Sequence, residues 1–332
     1  MNRRLKIGTG LATVLLLCAA FGAPTQAAGW KDLPEDVVLA VHFDMRSLAA
    51  SELYQSLVDQ YGSGIPNPKP EYMEFIEATG FDLEEDLESV TLGAGMPDGP
   101  AGGAFYMVIQ GKFDHEKIDA YLQQSGKASQ GTHGKLTTYV PREISYDGPE
   151  PMVSWIDDRT MILASTPDFP KLARSVNGSG LTAKNSALGR LLTRAHGQFY
   201  IAIEIPQQVP GSAGTPDGPA RGLSTILAQL QNPAAGPMQN LETLLLTLDA
   251  DSGLELALNA STDSDENGRQ VYEMLSGYLS IGRSMAAQNP QAAGTLQHLE
   301  LARDGSNVEI RISMSGADVR AALQRSHAIV DD

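Results

Sequence analysis

The segment Asp263-Ser264-Asp265-Glu266-Asn267-Gly268 sets side-chain oxygens at positions one, three and five and a glycine at six, the opening of a calcium-binding loop. Such a loop closes on a bidentate acid six residues after its glycine. Here Met274 holds that place and Glu273 falls one residue early, on a different helical face. Asp263, Asp265 and Asn267 are therefore the metal-ligand candidates. They stand against a plainer reading, in which acids opening a helix satisfy its first N–H groups and its dipole. Asp249-Ala250-Asp251-Ser252-Gly253 reads as a hairpin turn.

Six histidines, His42, His115, His133, His196, His298 and His327, are scattered without a pair at the spacing a zinc helix uses. His42 and Asp44 fall on one face of an expected strand, which allows a charge pair. No Gly-x-Ser-x-Gly elbow occurs, and the Gly126 to Gly131 spacing is followed by Thr132 where a phosphate loop needs lysine. These patterns support no catalytic residue and no cofactor site. Acids are abundant enough that a carboxylate pair formed in space stays open, so a hydrolase built on paired carboxylates is one alternative and a calcium-stabilised structural protein another.

The elements that would position any site alternate between strands and helices. Val37 to Asp44 reads as a buried strand, and Ser47 is expected to cap a helix bearing Leu53, Tyr54, Leu57, Val58 and Tyr61. A short helix near Tyr72 to Ala78 precedes strands Leu87 to Ala94 and Ala104 to Gln110. A helix opened by Asp114, strands Leu136 to Val140, Met152 to Ile156 and Thr160 to Ala164, and a helix Asp168 to Val176 follow.

The order then recurs. A helix Lys184 to Ala195, strand Phe199 to Ile205, helix Leu223 to Leu230, strands Leu241 to Leu248 and Leu254 to Asn259, a long helix Asp265 to Ala287, strands Leu296 to Ala302 and Val308 to Ile312, and helix Gly316 to Leu323 are expected. Leu87-Glu88-Ser89-Val90-Thr91-Leu92 matches Leu241-Glu242-Thr243-Leu244-Leu245-Leu246. Asp157-Asp158-Arg159 matches Arg303-Asp304-Gly305, and Asp44 matches Glu204. The expectation is an internal duplication: an α+β fold of two similar halves, 30–180 and 184–325. Each half is a mainly antiparallel sheet of β-β-α-β-β-α type with helices on one face, and a flexible tail covers 326–332. The long helix carries Val271, Met274, Leu275, Tyr278, Leu279, Gly282 and Met285 on one broad face, fit either to lie on its own sheet or to line an apolar groove.

The first residues, with Arg3, Arg4 and Lys6 before an uncharged run from Ile7 to Ala23 and Thr25-Gln26-Ala27 after Pro24, follow the plan of a secretory signal peptide over 1–27, cleaved after Ala27. Bulky Leu17 before Cys18 argues against a lipoprotein. Cleavage removes the single cysteine, so the mature chain would hold together without a disulfide. It also removes three cations, leaving 21 Lys and Arg against 40 Asp and Glu, a formal charge of -19. That field repels nucleic acid and anionic lipid, and no basic stripe overrides it. Membrane contact is expected through the signal peptide alone, before cleavage.

The signal peptide, the Leu33-Pro34-x-Asp36 opening, the Val37 to Asp44 strand with Ser51-x-Leu53, and the Gly111-x-Phe113-Asp114 helix start resemble a group of exported bacterial proteins without an assigned function. The resemblance implies an extracytoplasmic compartment, periplasmic or secreted, and brings no catalytic residue. The expectation is a non-catalytic exported protein that binds a protein partner or an apolar ligand.

Overall fold

The computed structural model describes residues 29–61, 70–97, 103–142, 150–182, 184, 186–205, 233–286 and 296–322. The segment read as a signal peptide, with Cys18, the helix expected at Leu223 to Leu230 and the C-terminal tail lie outside them.

Twelve strands build one sheet: β1 Val37–Asp44, β2 Leu87–Pro97, β3 Gly103–Gly111, β4 Ala128–His133, β5 Leu136–Pro141, β6 Pro151–Asp157, β7 Thr160–Ser165, β8 Phe199–Glu204, β9 Leu241–Asp249, β10 Gly253–Thr262, β11 Leu299–Asp304 and β12 Asn307–Ser315. Their order across the sheet is β11-β12-β10-β9-β8-β1-β2-β3-β7-β6-β5-β4. Every pairing is antiparallel. The helices are α1 Met45–Ala49, α2 Glu52–Tyr61, α3 Pro70–Thr79, α4 Leu83–Asp86, α5 His115–Gln124, α6 Phe169–Arg174, α7 Ala187–Leu192 and α8 Asp265–Ala286, with α9 over residues 316–322. The chain is thus α+β around a large antiparallel sheet.

The sheet is continuous because β1 and β8 pair at its middle, with Val41 opposite Ile201, Leu39 opposite Ile203 and Phe43 opposite Phe199. Both strands are apolar at most positions, as a strand covered on both faces must be. Successive side chains point to opposite faces. Ala40, Tyr200, Ala202 and Leu245 join Tyr106 and Ile162 on one face, under Trp30, Phe169, Leu172, Leu188 and Leu192. Val41, Phe43, Ile201 and Leu246 flank the buried Phe199 and Leu248 on the other, under Leu48 of α1, Leu53 of α2 and Val319 of α9. Helices therefore pack on both faces of the central strands, which corrects the expectation of one helical face.

Two local details also differ from expectation. Asp44, not Ser47, caps the turn after β1: its Oδ1 accepts from Ser47 N at 2.8 Å. Ser51 opens α2, its Oγ accepting from Tyr54 N at 3.1 Å. The polar strand β4, Ala-Ser-Gln-Gly-Thr-His, forms the far edge beside β5.

The spatial order β1-β2-β3-β7-β6 is followed, outward in the other direction, by β8-β9-β10-β12-β11. Asp44 sits opposite Ser89, and Glu204 sits opposite Thr243. Ser89 Oγ donates to Gln110 Oε1 at 3.0 Å, while the Thr243 and Ser261 hydroxyls, likewise opposite each other on β9 and β10, meet at 2.5 Å. Asp157 pairs with Thr160 across one tight hairpin and Asp304 with Asn307 across another. Asp304, not the Arg303 matched to Asp157 in the sequence, holds the corresponding place in its own hairpin.

Candidate binding surface

The structure makes the calcium candidates a helix start. Ser264 Oγ accepts from Asn267 N at 3.3 Å, and Ser264 O accepts from Gly268 N at 2.9 Å. Asn267 turns its amide nitrogen onto Asp263 Oδ1 at 2.6 Å, presenting a donor where a cation needs an oxygen. Asp265 begins α8, and its carbonyl accepts from Arg303 Nη1 at 3.2 Å. Gly268 is required by packing: a Cβ there would lie 2.9 Å from Gly305 O in the β11–β12 hairpin. Among the described residues no three His, Cys, Asp or Glu side chains gather as a metal cluster. The guanidinium of Arg269 holds Glu266 well below the ordinary carboxylate range, at about 2.

The histidines stay apart. His42 is buried, its Nδ1 2.8 Å from Thr91 Oγ1 and its ring stacked on Tyr200 at 5.1 Å. Burial lowers its pKa to about 4 against the opposing charge of Asp44. The pairing of His42 with Asp44 read from the strand pattern gives way to these contacts, because Asp44 is committed to the α1 cap. His115 stacks on Trp155 at 4.7 Å, His133 meets Phe169 edge-on at 5.6 Å, and His196 Nδ1 lies 3.0 Å from Arg194 O. His327 lies outside the described residues. Asp32 is raised by burial and then by the charge of Asp157. Asp157 is itself exposed at a hairpin, where it accepts from Arg159 N at 2.9 Å.

The surface that stands out is α8. At 3.6 residues per turn, Val271 and Ala286 point into the protein and are buried, with Leu275 and Gly282 partly covered beside them. The apolar face continues past that contact onto one flank, where Tyr278, Ile281 and Met285 are 65%, 59% and 70% exposed. Ile281 lay outside the face read from the sequence. On the opposite flank α8 and β11 enclose a groove of about 540 Å³ lined by Tyr272, Ser276, Leu279, Arg283, Leu299 and Leu301. Arg283 Nη2 donates to Leu299 O at 3.1 Å along its rim. The arrangement sets apolar contact area on one flank and, in the groove, apolar side chains beside the Arg283 guanidinium, the Glu300 carboxylate and the Ser276 and Ser280 hydroxyls.

No helix among the described residues is long and apolar enough to cross a membrane. No family model and no curated protein matches the chain. Two solved structures, crystal forms I and IV of TP0453, align over 89% and 88% of this chain and 95% and 96% of their own, with 9% and 10% identity and TM-scores of 0.44 and 0.41. A likeness at that level carries no conclusion about this chain.

Proposed function

We propose that this chain is an exported, non-catalytic protein of the periplasm or the secreted fraction that binds a protein partner or an apolar ligand through α8. The observation that carries the reading is the stripe Tyr278, Ile281 and Met285, three large apolar side chains standing open on one flank of a helix whose other apolar residues are covered. The signal-peptide pattern of residues 1–27 supports export, and the formal charge of -16, which cleavage after Ala27 would take to -19, makes nucleic acid a poor partner.

We further read the fold as a duplication, 30–180 and 184–325, meeting at Val41 and Ile201. Support comes from the shared strand order and from the matching registers of Asp44–Ser89 with Glu204–Thr243. The main differences are an added hairpin, β4–β5, outside β6, and the length of α8, 22 residues against 10 in α5.

The test is uptake of an apolar fluorescent probe such as N-phenylnaphthylamine by the folded mature protein, beside a triple variant carrying Tyr278→Ser, Ile281→Ser and Met285→Ser. The account expects binding by the parent and its loss in a variant of unchanged melting temperature. Equal uptake by both proteins contradicts it. So does turnover of ester, glycoside or peptide substrates that one acid or histidine substitution abolishes.

A further inference from the structure

We infer that the outer edge of β11, together with the groove beneath α8, is a strand-accepting site for an extended segment of another protein, added antiparallel with an aromatic side chain opposite Leu301. The inference deepens the proposed binding function and uses the proposed repeat to say what the edge receives.

β11 ends the sheet. His298 O accepts from Ser313 N of the neighbouring strand at 3.3 Å, so in an antiparallel ladder residues 298, 300 and 302 direct their backbone groups inward, and Leu299, Leu301 and Arg303 direct theirs outward. At Leu299 the outward carbonyl accepts from Arg283, a bond that an incoming strand would replace there, while Leu301 keeps its outward groups for the partner. In the repeat, β6 stands where β11 stands. Its position matching Leu301 is Val153, since Leu163, opposite Val153, corresponds to Ile310, opposite Leu301.

Val153 is not bare. Glu150 O accepts from Thr166 N on the β7 side, so Val153 faces outward, and there it pairs with Tyr139 of β5. The Tyr139 ring is buried between β5 and α5, where burial and then Asp119 push its hydroxyl up to about 12. Side chains of paired strands share a face. A residue opposite Leu301 would therefore enter the groove lined by Tyr272, Leu279 and Leu301, as Tyr139 fills the corresponding space beside α5. One half of the sheet carries its own covering strand, and the other presents the same edge and the same space with no covering strand among the described residues. The occupant is a partner of neutral or basic character, because two copies of a chain of formal charge -16 repel and the strand carries Glu300 and Asp304 against Arg303 alone.

The probe is a synthetic peptide of residues 134–142, Gly-Lys-Leu-Thr-Thr-Tyr-Val-Pro-Arg, which contains the strand that covers β6. Added at millimolar concentration to isotope-labelled mature protein, it is expected to shift the amide signals of Leu299 to Arg303 and to slow hydrogen exchange at Leu301. Replacing the peptide's tyrosine with alanine, or methylating its backbone nitrogen, should each weaken binding roughly tenfold. Leu301→Pro should do the same, since it removes an outward N–H and spares the bonds to β12. The peptide variants leave the protein untouched, so a misfolded proline variant does not decide the matter. If unrelated extended peptides with alternating apolar residues bind at β11 and this one does not, the edge site stands and the repeat-based choice of occupant falls. Absence of any peptide effect at β11, or self-association of the chain through β11, overturns the inference.

Discussion

His42 Nδ1 lies 2.8 Å from Thr91 Oγ1, a cross-strand contact between β1 and β2 sealed beneath Gly29 and Tyr200. The imidazole is held neutral there, its pKa lowered by burial from 6.5 to about 4. Between those values the unfolded chain takes up a proton that the native chain refuses, so stability falls as the pH falls through that window, by about 3 kcal/mol in total. Glu266 loses its advantage lower, between 4.5 and about 2, and raised Asp32 acts with the opposite sign, so the comparison with a His42 variant isolates the imidazole. Urea unfolding across that range should show a flatter pH dependence in His42→Gln than in the parent; equal slopes contradict the assignment.

Two glycines should respond in opposite directions. A Cβ on Gly180 would stand 1.9 Å from Lys31 O, where the chain after α6 crosses the turn Gly29–Asp32. Gly180→Ala should cost about 3 kcal/mol or prevent folding. Gly277 lies mid-helix in α8 with nothing within 4 Å of a Cβ, so Gly277→Ala should add about 0.5 to 1 kcal/mol. Denaturant midpoints of the two variants decide the matter, and a neutral Gly180→Ala would refute the crossing geometry.

Calcium should not stabilise the protein. Asn267 donates to Asp263 and Ser264 caps the helix, so a cation would have to break both contacts to gather its ligands. Melting curves in millimolar calcium and in excess chelator should coincide, and Asp263→Ala should change stability by about 0.5 kcal/mol or less. A chelator-dependent fall in melting temperature contradicts this.

Most strands and helices were legible in the sequence because their apolar residues recur at the expected period; β2, β3, β7 and α8 fall within a few residues of where the pattern put them. β4 was not, since an exposed edge strand of Ser, Gln, Gly and Thr carries no alternation to read. The single sheet was not legible either. It depends on β1 meeting β8 about 160 residues away, and no local pattern encodes a partner at that distance. Ser47 and Asp44 show a third limit: both are good capping types, and only the geometry says which one accepts. The broad apolar face of α8 was visible, but how much of it the sheet covers depends on how far the sheet extends beneath the helix, so the exposed flank at Tyr278 and Ile281 came from the structure.

Amide hydrogen exchange in the free mature protein compares Val153 with Leu301 directly. Both amides point outward, that of Val153 from β6 onto β5 and that of Leu301 from β11, the last strand of the sheet among the described residues. The account predicts strong protection at Val153 and exchange near the unprotected rate at Leu301, with Glu300 and Ala302 slow on either side of it. Protection of Leu301 equal to that of Val153 would mean that the edge is already covered, and would contradict a binding surface built on α8 and β11.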